Sequence, residues 1–151
     1  MKTCFYQYRK GLFERLSLIT YGGIAVPVYQ YTPAGVGTPY IYIGDMNATP
    51  ENDADRYSQT VTTEIHVVTS YQGDQASMNT ADAIMDLVMQ WIISKGVTVF
   101  DRDAAILMDD FEMTPNQMVS LSHVTEFDDI NKQIRSVLTV SAIIDQKPDV
   151  S

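Results

Sequence analysis

Residues 58–94 read SQTVTTEIHVVTSYQGDQASMNTADAIMDLVMQWIIS, and the spacing of apolar residues changes once within them. Over Ser58 to Ser70, Val61, Ile65 and Val67 share one face with Thr63 and Thr69, while Glu64 and His66 share the other with Val68. A two-residue period of this kind predicts a strand with one face buried and the other wet or at a subunit contact. After Gly73-Asp74 the step lengthens to three and four residues. Ala81, Ile84, Met85, Val88, Trp91 and Ile92 form one stripe, and Asn79, Asp82, Asp86 and Gln90 form the other. This predicts a helix over Gln75 to Ser94, capped at its start by Asp74 or Ser77 and closed by Lys95-Gly96.

Upstream, Phe5, Tyr8, Leu12, Phe13 and Leu16 recur at helical steps, which predicts a helix from Phe5 to Leu18. Gly11 weakens it by up to about 1 kcal/mol relative to alanine. The helix should stop near Thr20, before Tyr21-Gly22-Gly23. Val26-Pro27-Val28-Tyr29 starts extended structure, Thr32 to Pro39 is a loop by composition, and Tyr40 to Gly44 is a short strand. Asp45 to Tyr57 carries Glu51, Asp53 and Asp55 and reads as an exposed acidic excursion, either a loop or the tip of a long hairpin. Downstream, strands are expected over Val97 to Phe100, Ala104 to Phe111, Met118 to Phe127 and Lys132 to Asp145, with turns at Asp101-Arg102-Asp103, Thr114-Pro115-Asn116 and Asp128-Asp129. In the last, apolar residues fall mostly on even positions, with Val137 and Ile143 opposite. The expected fold is one α+β domain over residues 1–151, an antiparallel β-sheet with two main helices packed on one side and a polar C-terminal tail at 146–151.

The chain has 151 residues, 45% hydrophobic and 19% charged, so disorder and membrane embedding are both disfavoured. No apolar run approaches the roughly 18 residues of a spanning helix. MKTCFYQYRKG meets charge too early for a signal-peptide core, so folding in a cytoplasm is expected. Cys4 is the lone cysteine, which leaves no internal disulfide and favours a buried small hydrophobe over an exposed thiol. The formal net charge is −9, from 10 Lys+Arg against 19 Asp+Glu, which argues against a surface that grips nucleic acid. Such acidity suits either solubility or a wall past which DNA slides.

Catalytic vocabulary is sparse. A hydrolase needs a nucleophile, a base within reach and an orienting acid, yet both histidines, His66 and His123, lie on expected strands. No G-x-S-x-G surrounds any serine. One cysteine and two distant histidines make no local zinc site, and the pairs Asp101/Asp103 and Asp109/Asp110 complete no calcium loop. Gly35-Val36-Gly37 lacks the strand-to-helix setting of a phosphate loop. No catalytic residue, cofactor or metal is therefore assigned. Nine tyrosines and eight methionines are unusual, and both types are enriched at protein interfaces. Met85 is expected in the core. Tyr29, Tyr31, Tyr40 and Tyr42 are expected to be partly exposed and available to a partner.

The ordered series of a helix, V-P-V-Y-x-Y, a Gly-rich bridge, T-P-Y-I-Y-I, an acidic loop, a long alternating strand and Y-x-G-D-Q-A-x-x-N-x-A-D-A-I resembles the tail terminator (tail completion) proteins of long-tailed bacteriophages. Val28-Tyr29 and Thr38-Pro39-Tyr40-Ile41 match the family's first element, and Tyr71, Gly73, Ala76, Ala81, Ile84 and Leu87 match its second. The pattern covers roughly Gly11 to Ile144. The acidic loop is longer than the minimal pattern needs. The resemblance implies a non-enzymatic virion neck protein, a ring of six copies that caps the tail tube, stops its polymerisation and meets the head-closure or connector protein. DNA would pass through the lumen without specific binding, and no membrane is involved. Asp45, Glu51, Asp53 and Asp55 would lie at a contact or in the lumen. Long strands such as Lys132 to Asp145 leave edges that invite pairing unless covered, so sheet edges are expected to build the ring. Alternatives are a head-closure or adaptor ring protein, a small-ligand module around Tyr29 to Tyr42, or a small hydrolase.

Overall fold

Tyr8, Leu12 and Leu16 stand four residues apart and are fully buried, which turns one face of helix α1 (Phe5–Leu16) inward. The structure, a computed structural model, describes residues 3–51, 58–71, 73, 75–93, 111–113, 116–127 and 132–146. Past α1, Leu18 and Ile19 donate to the carbonyls of Arg15 and Leu16, tightening the last turn. A hairpin follows where the sequence predicts only a helix stop. Strand β1 (Thr20–Tyr21) pairs with β2 (Ile24–Ala25) around Gly22 and Gly23, both at positive φ. Two adjacent left-handed residues make the hairpin turn whose twist matches its strands.

Strand β3 (Val28–Tyr29) runs parallel to the start of β4 (Tyr40–Glu51). The short strand expected over Tyr40 to Gly44 is thus the first part of a twelve-residue one. Between Ile43 and Met46 the register against β5 (Ser58–Ser70) shifts by one residue. Ile41 and Ile43 face the core before the bulge, and Met46 and Ala48 pack against it afterwards. One inserted residue flips every later side chain to the other face, so the apolar parity changes from odd to even while the buried side stays the same. Of the two readings of Asp45 to Tyr57, the hairpin is the observed one as far as Glu51 and from Ser58. Residues 52–57 lie outside the described residues. Pro50 is tolerated because this part of β4 is an edge.

Helix α2 (Gln75–Ile92) buries Ala81, Ile84, Met85, Val88 and Ile92 and exposes Asn79, Asp82 and Asp86, as the stripe predicts. Of its expected caps, Asp74 and Lys95-Gly96 lie outside the described residues, and Ser77 is corrected: the helix already starts at Gln75, so Ser77 stands within its first turn and not at the cap. Also outside the described residues are the strand expected at Val97 to Phe100 and all of Ala104 to Phe111 but Phe111, which opens β6 (Phe111–Met113). β7 (Gln117–Phe127) and β8 (Lys132–Gln146) follow, the latter one residue longer than expected.

The six-stranded sheet runs β3-β4-β5-β8, with β6 and β7 end to end along the outer side of β8. All its pairings are antiparallel except the short β3–β4 pair. Odd positions of β5 and even positions of β8 face the same way, because Ile65 pairs with Leu138. Both helices cover that face: a single cluster holds α1, α2, Ile41, Ile43, Val61, Ile65, Leu138, Val140 and Ile144. Arg15 Nε donates to the Trp91 carbonyl at 2.7 Å, bracing α1 against the end of α2. The expected α+β architecture, with two helices on one side of the sheet, is the one observed.

Candidate interaction surfaces

On the helix-free face the tyrosines form a ladder. Tyr31 and Tyr29 meet edge to face at 6.0 Å, as do Tyr29 and Tyr40, and Tyr40 lies 6.3 Å from Tyr42. Only its outer end is available to a partner. Tyr31 is 66% exposed and Tyr29 half-buried, but Tyr40 and Tyr42 are buried with Val68. The expectation that Tyr40 and Tyr42 are partly exposed is therefore corrected. They occupy the even positions of β4, and Tyr29 and Val36 from the preceding segment fold over that face.

The ladder continues into His66, whose ring stacks on Tyr42 with centroids 4.3 Å apart and an interplanar angle of 9°. Gly44, at the bulge, makes room for it: a Cβ there would lie 2.8 Å from His66 Nε2. Burial is the main influence on the imidazole and pushes it below the ordinary 6.5; Glu64, 3.9 Å away, and Asp45 oppose this, and Arg135 adds to it. The unfolded chain thus binds the His66 proton at higher pH than the folded one. Stability should fall as pH drops through 6.5 and below, by the sign of proton linkage. Gly44→Ala should displace the ring, cost about 1–3 kcal/mol and flatten that pH dependence, as should His66→Gln. Urea unfolding of the three proteins between neutral and mildly acidic pH checks both points.

The outer edge of β7 carries no pairing partner among the described residues. Its register places Leu121 on the helix side, opposite Leu138, and Val124 on the other side, opposite Arg135. A second one-residue irregularity near Val119 separates the two halves of the strand. Helix α2 lies over β5 and β8 and α1 over β3 and β4, so Met118 (55%), Val119 (60%), Leu121 (47%) and Val124 (48%) remain exposed. The strand holds no Lys, Arg or Pro, residues that commonly blunt a free edge. Lys132 to Asp145, the strand expected to supply a free edge, is instead paired on both sides. At the opposite end of the sheet, around α1, the β1–β2 hairpin and the segment after β3, Tyr6, Leu18, Ile24 and Tyr31 are exposed. Sequence reasoning missed both apolar edges; the available signal was that Met118, Val119, Leu121 and Val124 occupy both parities of one strand.

Of the acidic candidates, Asp45 sits exposed at the bulge, and Glu51 is exposed and accepts a hydrogen bond from the Thr60 hydroxyl. Asp53 and Asp55 lie outside the described residues. The tyrosine and acidic candidates do not form one site: Tyr42 and Asp45 flank the bulge, while Glu51 lies at the far end of β4.

His123 has a serine and an aspartate nearby, but not in relay geometry. Ser136 Oγ lies 3.0 Å from Nδ1, and Asp82 Oδ1 lies 4.0 Å from the same nitrogen. A nucleophile–base–acid triad uses both ring nitrogens, and Ser136 is 1% exposed. Cys4 is fully buried, and burial pushes its thiol above the ordinary value. No described helix is long and apolar enough to cross a membrane.

Residues 18–145 match the family model described as tail completion protein gp17. No curated protein matches the chain. Among solved structures, a chain from the virion of a native gene transfer agent particle superposes with a TM-score of 0.73 at 14% identity, over 96% of this chain and 99% of that one. At that identity the likeness is one of fold.

Proposed function

The chain belongs to the tail completion protein gp17 family and is a structural protein of the phage tail, carried in the virion; from that premise we propose that it is the tail terminator, a ring that caps the tail tube, ends its polymerisation and joins the tail to the head-closure or connector protein. The observation that carries the ring is the pair of apolar edges. β7 at one end of the sheet and the Leu18, Ile24 and Tyr31 end at the other are different surfaces. A contact between unlike edges is heterologous, and repeating it by a closed rotation gives a ring. Six copies is the number we propose, from the family resemblance. Genomic DNA passes through the lumen without specific binding. The net charge of −9 supports that reading, since an acidic wall repels phosphates. Asp45, Glu51, Asp53 and Asp55 are proposed to lie at the lumen or a partner contact, with Tyr29 and Tyr31 as further contacts.

Leu121→Lys with Val124→Lys should leave the subunit folded, because exposed substitutions usually change stability by about 0.5 kcal/mol or less. The same pair should abolish the ring, as read by light scattering of the protein bound to tail tubes. Particles made without this protein should carry tubes of uncontrolled length by electron microscopy. Tubes of normal length that merely lack heads would favour the head-closure reading instead.

A further inference from the structure

Charge is unevenly divided along the chain. Residues 1–44 hold four basic residues against one acid, Glu14, a net +3, and residues 45–151 hold six basic residues against eighteen acids, a net −12. The fold turns that division into two ends of one sheet. Helix α1 packs on β3 and β4, and α2 packs on β5 and β8. On the helix side of β7, α2 supplies an acidic border. Asp82 Oδ1 lies 4.0 Å from His123 Nδ1, and Ile93 bridges to Asn116, so α2 runs against the direction of β7. Asp86, one helical turn past Asp82, falls between those two points, on the level of exposed Leu121. Of the cations on β8, Arg135 lies on the other face of the sheet, and Lys132 pairs with Phe127, four positions beyond His123. At the β3 end the border is basic. Tyr6 and Lys10 stand exposed one turn apart on α1, Arg9 is half-buried beside Lys10, and Leu18 and Ile24 extend the apolar surface. Asp45 and Glu51 of β4 point to the helix-free side, since Met46 and Ala48 pack on the core.

We propose that the β7 edge receives the α1 end of the next copy of this chain, with Asp82 and Asp86 facing Arg9 and Lys10 around an apolar contact of Leu121 with Tyr6 and Leu18. This contact presumes the ring proposed above and names the residues that build it. The free edge of β7 could equally pair with β7 of a second copy, which would close a two-copy assembly. That arrangement brings two acidic borders together, whereas unlike ends set acids against cations. Apolar burial supplies the affinity, and the charges decide which edges meet.

The experiment exchanges the charges. Asp82→Lys with Asp86→Lys gives a subunit basic at both ends, and Arg9→Glu with Lys10→Glu gives one acidic at both ends. Assembly is read by light scattering in the presence of tail tubes. Each variant alone should need roughly ten-fold more protein than the parent to assemble, because like charges then meet at every contact. An equimolar mixture of the two should recover the parent's assembly, since alternating subunits restore opposite charges and an even-numbered ring closes on alternation. Thermal melts check that each variant is folded. If Arg9→Glu lowers the melting temperature, Lys10→Glu alone takes its place. Assembly of either variant at the parent's concentration, or no recovery in the mixture, would overturn the proposal. So would a two-copy species formed by the Asp82, Asp86 variant with the parent, which would show that β7 pairs with β7. A parent that assembles on no tube would overturn the ring itself, whereas parent rings indifferent to these charges would overturn this contact alone.

Discussion

Ile84→Asp should unfold the subunit at temperatures where Asp86→Lys does not. Ile84 is fully buried in the cluster that joins α2 to the sheet, whereas Asp86, two residues on, is exposed. A carboxylate at position 84 must be buried charged without a partner or buried protonated at a large cost in its proton affinity. Either route costs several kcal/mol, on the order of the 5–15 kcal/mol that holds a domain together. The lost isoleucine contacts add roughly 2 kcal/mol more. Asp86→Lys changes only a solvated charge and should shift stability by about 0.5 kcal/mol or less. Thermal melts by circular dichroism decide the matter. Equal melting temperatures for the two variants would mean that α2 faces the other way.

Asn116→Ala should cost about 3 kcal/mol, a large effect for one polar side chain. Asn116 is fully buried where β6 passes to β7. Its amide nitrogen donates to the Ile92 carbonyl at 3.0 Å, and its amide oxygen accepts from the Tyr8 hydroxyl at 2.5 Å. One side chain thus satisfies the end of α2 and the only polar atom that Tyr8 carries into the core. Burial pushes the Tyr8 phenol well above its ordinary value, so it remains a protonated donor. Truncation strands two buried groups, each worth roughly 1–3 kcal/mol. Tyr8→Phe strands the amide oxygen, loses the hydroxyl's interaction with the Thr63 side chain as well, and should cost less, about 1–2 kcal/mol. Combined, the two changes should fall short of their sum, because the second removes a group the first has already orphaned. Urea unfolding of both single variants and the double variant measures that coupling. Strict additivity would show that the two side chains do not share a bond.

Local pattern was enough for β5, where a two-residue period runs nearly clean through its first ten residues, and for the buried stripe of α2. It was enough for β8 and for the family, whose signature is an order of elements along the chain. Periodicity succeeds there because it records which side of an element avoids water. It failed where phase or partner order decides. By periodicity β4 ends at Gly44, because the bulge reverses the apolar parity, and only pairing with β5 shows that the strand goes on. The β1–β2 hairpin is two exposed residues a side, too short to have a period. Tyr40 and Tyr42 alternate as a surface row would, and their burial depends on the segment holding Tyr29 and Val36 crossing over them. Asn116 reads as a turn residue until α1 and α2 converge on it. β7 and β8 look alike as strands, yet β8 is paired on both sides and β7 is left at the edge. The sequence marks which faces are apolar; which of them stays uncovered is set by the order in which strands pair and helices dock, and that order is a property of the folded chain.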